Sequence, residues 1–202
     1  QFCVKWLIKS LRFARNNGFP EIECRTLRKL ADILRSRGHL MLAEQICIKG
    51  LDIARSKKYT RYEIYLMCSL GEIFRCKKSY VDALELFNKA EKLAIKQGIK
   101  PWIGHANLAI AETYISLKDI SKSNEFQGQA REIYNKISHN WGIIQCDIVE
   151  IRKLLIQNNS LWLTKLLETR DRAAILGYSN ELKILENIEI NREALDNKLM
   201  FL

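Results

Sequence analysis

A chain of 202 residues with nine glycines and two prolines is too thinly punctuated for a sheet-rich fold, which must turn every few residues. With 48% hydrophobic residues it has ample surface to bury, which excludes disorder, and no run reaches the roughly 18 uncharged apolar residues of a membrane span. The net charge of +10 is unevenly placed: residues 1–62 hold 14 Lys or Arg against five Asp or Glu.

Apolar residues recurring at i, i+3, i+4 and i+7 predict helices along the whole chain. The first covers 1–16. Pairs follow at 21–37 with 40–57, 61–77 with 80–97, 101–118 with 120–137, and 141–157 with 161–176. A last helix runs over 179–199 and ends in an apolar tail. Pro20 and Pro101 stand where first helices of pairs begin, a position that tolerates proline. Gly18, Gly98 and Gly177 stand where second helices end, as C-terminal caps do.

The pairs repeat every 40 residues. "AEQICIKGLDIARSKKY" (43–59) falls over "ALELFNKAEKLAIKQGI" (83–99), then over "SNEFQGQAREIYNKISH" (123–139). Ala14, Ala54, Ala94, Tyr134 and Ala174 form one series. "LRKLADIL" (27–34), "MCSLGEIF" (67–74) and "NLAIAETY" (107–114) align in the first helices. Helix pairs that cannot bury their faces alone must stack on their neighbours. Gly71, in the middle of a helix, costs about 1 kcal/mol relative to alanine, and its place in the repeat predicts a close helix crossing.

This pattern resembles the tetratricopeptide repeat, in a branch with a longer, 40-residue period. Leu30, Ala31, Ala43 in the first repeat, Leu70, Gly71, Phe74, Ala83, Phe87, Ala90 in the second, and Ala111, Tyr114, Ala130 in the third occupy its packing positions. The fourth repeat departs from the motif. The resemblance implies an all-α, right-handed superhelical solenoid of antiparallel helix pairs, one array over 1–202, as a section of a larger protein. The longer-period branch includes the sensor regions of peptide-sensing regulators, signalling ATPases and caspase-like proteases. It implies a groove lined by first helices: Arg25, Arg28, Lys29, Asp32 and Arg35; Tyr65, Ser69, Glu72 and Arg75; His105 and Glu112; Gln145 and Arg152. The family's carboxylate-clamp residues are absent from the matching places, which hold Arg28/Asp32, Ser69 and His105/Ala109.

No nucleophile elbow, phosphate-binding glycine loop or zinc-protease motif is present, so catalysis is expected outside this chain and no cofactor or metal within it. Six cysteines without metal spacing read as reduced thiols and a cytoplasmic location. Trp6, Trp102, Trp141 and Trp162 read as packing between repeats, with partner anchoring as the alternative. The expected partner is a protein or peptide, acidic where it meets the basic first third. The alternative is a nucleic acid or ribonucleoprotein held by the same cations. The apolar fourth repeat and last helix predict a neighbouring domain or subunit at the C-terminal end. No membrane partner is expected.

Overall fold

The structure, a computed structural model, describes the backbone of residues 2–200 and the side chains of residues 4–192. Ten helices follow one another: α1 (Phe2–Asn16), α2 (Pro20–Ser36), α3 (Leu40–Ser56), α4 (Thr60–Cys76), α5 (Tyr80–Lys96), α6 (Lys100–Ser116), α7 (Ile120–Lys136), α8 (Asn140–Ile156), α9 (Leu161–Ile175) and α10 (Ser179–Met200). No strand occurs among the described residues. The side chains of the predicted apolar tail, and that of Cys3, lie outside the described residues.

The helices start 20 residues apart from α2 to α8 because every turn uses one device. The residue two past the helix end takes positive φ at Gly18, Gly38, Lys58, Lys78, Gly98, Lys118, Ser138, Asn158 and Gly177. The next backbone N–H then reaches back five residues, as from Tyr59 to the Ala54 carbonyl at 2.8 Å. This satisfies carbonyls that the helix end leaves open. Pro20 and Pro101 sit in the first turns of α2 and α6.

Each helix packs on the next, and α2, α4, α6, α8 and α10 also touch in series. The second helices α3, α5, α7 and α9 do not touch one another. The first-helix layer is therefore the inner, concave side of a solenoid, and the second helices form the convex side. The core lies between the layers. Ala31, Ala43, Phe87, Ala90, Ala111 and Ala130 are fully buried there, Leu30 and Leu70 nearly so. Phe74 and Tyr114 are half-buried against the Phe87 cluster.

Gly71 faces the Phe87 ring of α5, and a Cβ on it would stand 2.5 Å from Phe87 Cε1. Tyr134 sits where Ala14, Ala54 and Ala94 stand in earlier repeats, and its ring is also fully buried. Gly104 and Gly142 face that ring from α6 and α8 with no room for a Cβ.

The fourth pair departs from the 40-residue register. The link before α9 has four residues instead of three, and Asn159 Oδ1 accepts a hydrogen bond from Leu161 N–H at 3.0 Å. The buried positions of α9 are Leu166, Thr169 and Ala173, one residue earlier than the repeat predicts. Ala174, Leu163 and Leu167 are exposed. The series therefore ends at Tyr134. In the same region Asp147, fully buried on α8, pairs with Arg131 at 2.8 Å, Lys165 at 3.2 Å and Arg172 at 2.8 Å.

Candidate functional site: the concave groove

A 40-residue period on touching helices sets residue n beside residue n+40 on the inner layer. Asp32, Glu72, Glu112 and Arg152 form one such row, with Arg35 and Arg75 one turn further on. The rows interlock as an ionic ladder across four helices. Arg35 Nη1 lies 4.0 Å from Glu72 Oε2. Arg75 Nη2 bridges Glu72 at 2.6 Å and Glu112 at 2.9 Å. Arg152 Nη1 reaches the other oxygen of Glu112 at 2.6 Å. Arg28 pairs with Asp32 at 2.9 Å within α2. Burial pushes the Glu72 carboxyl upward, but Arg75, with Arg35 and His105, holds it below the usual carboxylate range. The same two glutamates raise the Arg75 guanidinium against the effect of burial.

Nearer the N-terminal ends of these helices runs a chain of rings. Tyr65 stacks on Trp102 at 4.1 Å between centroids. Trp102 lies 4.7 Å from His105. His105 is parallel to Trp141 within 6° at 6.4 Å, and Trp141 meets His139 edge-on at 6.0 Å. Trp141 Nε1 and Gln145 Nε2 both donate to Glu181 Oε1 of α10, at 2.8 and 3.0 Å. Burial lowers the His105 imidazole, Arg28 acts the same way, and Glu72, Glu112 and Asp32 only partly oppose them.

Three joined cavities lie along this surface. A mouth of about 660 Å³ is bordered by Arg61, Tyr65, Lys100, Trp102 and His139 among others. A slot of about 410 Å³ follows, lined by Arg28, Pro101, Trp102, His105, His139 and Trp141. A smaller hollow of about 180 Å³ lies over the ladder, between Arg35, Glu72, His105, Glu112, Trp141 and Gln145.

The sequence-derived groove residues all lie on this inner layer, in three settings. Arg28, Asp32, Arg35, Glu72, Arg75, Glu112 and Arg152 join in the ion pairs, and Tyr65, His105 and Gln145 in the rings and their bonds. Ser69 is buried, whereas Arg25 and Lys29 are exposed on α2. Sequence reasoning assigned Trp102 and Trp141 to packing, and they do contact neighbouring repeats, but they also wall the slot. Their spacing near the starts of equivalent helices was the available signal. Arg61 and Lys100 border the mouth without having been singled out. Trp6 is 66% exposed and packs between no repeats, while Trp162 packs in the α8–α10 cluster.

Among the described residues no group of three or more His, Cys, Asp or Glu could hold a metal ion. Burial pushes the thiol of Cys24 up to about 11, and those of Cys47 and Cys146 up to about 12. Cys68 is raised for the same reason. These thiols are core packing, and Cys76 alone of the five described is exposed. No described helix is long and apolar enough to cross a membrane.

No family model matches the chain, and no curated protein matches it. Solved structures do. The apo form of RapI aligns with a TM-score of 0.67 at 21% identity, over 93% of this chain and 72% of that one. Aspartyl phosphate phosphatase F from Bacillus subtilis aligns with a TM-score of 0.71 at 15% identity, over 98% of this chain and 55% of that one. BtubC (BKLC) from P. vanneervenii aligns at 0.60 with 12% identity, over 94% of this chain and 88% of that one. At such identities the likeness is one of fold. The chain is a right-handed solenoid of tetratricopeptide-like helix pairs, an architecture it has in common with these helical repeat proteins.

Proposed function

We propose that the chain is a docking array that holds a protein or peptide in its concave groove and serves as the sensor region of a larger regulatory or signalling protein in the cytoplasm. The observation that carries this reading is the inner layer itself. Four helices present an unbroken run of half-buried rings and paired charges, opening into the joined cavities. Aromatic and arginine side chains in a concave surface are the commonest anchors of protein recognition. The sites named from the sequence, from Arg28 to Arg152, would form the floor. A solenoid bends by small rotations between neighbouring pairs, and a ligand that bridges α2 to α8 would favour one curvature over others. The chain spans 55% of aspartyl phosphate phosphatase F. We place any chemistry outside these 202 residues, in an attached domain. Co-purification of the full-length protein with its partner is the test. Arg28→Gln with Trp102→Ala should lose the partner, and Lys89→Glu with Glu85→Lys on the convex α5 should keep it. Loss with the convex pair alone would overturn the reading.

A second reading has one observation in its favour: Arg61 and Lys100 flank stacked rings at the mouth, the ingredients of a single-stranded nucleic-acid platform. Its affinity would fall steeply with salt, in proportion to the phosphates contacted.

A further inference from the structure

Two polar atoms at the slot are sealed from solvent and lack a hydrogen-bond partner: Arg28 Nε and His105 Nδ1. An unpaired buried polar group is costly, and Arg28 and His105 both stand in the wall of the cavity of about 410 Å³. Arg28 uses Nη1 on Asp32, and its Nε–H can only donate. The missing partner of Arg28 is therefore an acceptor. The walls are flat rings, with Trp102 backed by Tyr65 and His105 parallel to Trp141. The adjoining mouth has Pro101, Trp102 and His139 in common with the slot and adds Arg61 and Lys100. Three cations line the two cavities, and no carboxylate lines either.

Resting on the reading of the concave face as a peptide groove, we propose that the slot takes the aromatic side chain of an extended acidic peptide, with flanking carboxylates on Arg28 at one side and on Arg61 and Lys100 at the other. The ring enters between Trp102 and Trp141, where offset or edge contacts between aromatic rings add to simple burial. The carboxylates meet Arg61, Lys100 and the part of the Arg28 guanidinium that Asp32 leaves open.

Isothermal titration with three blocked pentapeptides tests this: Asp-Asp-Trp-Asp-Asp, Asp-Asp-Ala-Asp-Asp and Lys-Lys-Trp-Lys-Lys, with a ten-residue oligothymidylate as the fourth ligand. The first should bind, and the other two peptides should bind at least about ten-fold more weakly, the scale of a lost interface anchor. Trp102→Ala and Arg28→Gln should each weaken the first peptide about ten-fold as well. Trp102→Phe keeps a ring on Tyr65 and should retain most of the affinity, which separates the slot from the fold. Equal binding of the Trp and Ala peptides, or no effect of Trp102→Ala, would overturn the slot while leaving the groove standing, provided amide shifts of α4 and α6 still respond. No response of the concave face to any peptide would remove the groove reading too. Oligothymidylate binding through Trp102 more tightly than every peptide would overturn the proposal in favour of nucleic acid.

Discussion

At the scale of residues, the array is fitted by matched exchanges of size. A Cβ on Gly71 would run into the Phe87 ring, and one on Gly104 or Gly142 into the Tyr134 ring, which stands where earlier repeats have alanine. Gly71→Ala should destabilise the chain by about 1–3 kcal/mol through overpacking. Phe87→Leu made together with it should recover part of the loss, measured as non-additive urea midpoints; strict additivity would deny the contact. His105 adds a pH signature. Its imidazole is held below the ordinary value of 6.5 by burial, so the unfolded chain binds more protons than the native one just below that value. The stability it contributes is complete above about pH 6.5 and falls as pH drops through the window beneath. Arg28 and Asp32 of α2, Glu72 of α4 and Glu112 of α6 surround it, and His139, just before α8, lines the same cavity. His105→Gln should flatten the slope of unfolding free energy against pH below about 6.5, and an unchanged slope would assign that slope to other groups.

At the scale of elements, the hydrophobic stripe located the helices, most plainly the second helices α3, α5 and α7, while α4 and α6 are buried on more than one face, and the 40-residue alignment placed Ala43, Ala83, Phe87 and Ala130 in the core, where they are. That alignment failed at α9. The fourth pair is one residue short between its turns, Asn158 and Gly177 standing 19 apart where earlier turns stand 20 apart, so Leu166, Thr169 and Ala173 face inward while Ala174 does not. A fixed period carries no information about a repeat of unequal length. The Asp147 cluster was hidden for a related reason: Arg131, Lys165 and Arg172 come from two other helices, and no spacing rule joins them to an aspartate at a core position. Asp147→Asn leaves three cations facing a neutral amide. It should lower stability by about 1–3 kcal/mol, the scale of lost hydrogen bonds to a charged group, because the three cations keep contact with solvent. Thermal melting reads this directly, and an unchanged melting temperature would make the three contacts incidental.

At the scale of the whole molecule, the solenoid turns a one-dimensional repeat into a two-sided object. Rows at n and n+40 become an ionic ladder on the inner side, and the members of that ladder were visible in the sequence as groove positions. The ring chain was less legible. Tyr65 and His105 share a row of the repeat, but Trp102 and Trp141 fall in two others, and the rings join only through contacts between rows. The account's central claim is that the inner layer, α2, α4, α6 and α8, is the face a partner occupies. Hydrogen–deuterium exchange of the protein with and without its co-purified partner tests that claim most directly. Protection concentrated in α4, α6 and α8, with α3, α5 and α7 unchanged, is the predicted result. Protection confined to the convex second helices would contradict it.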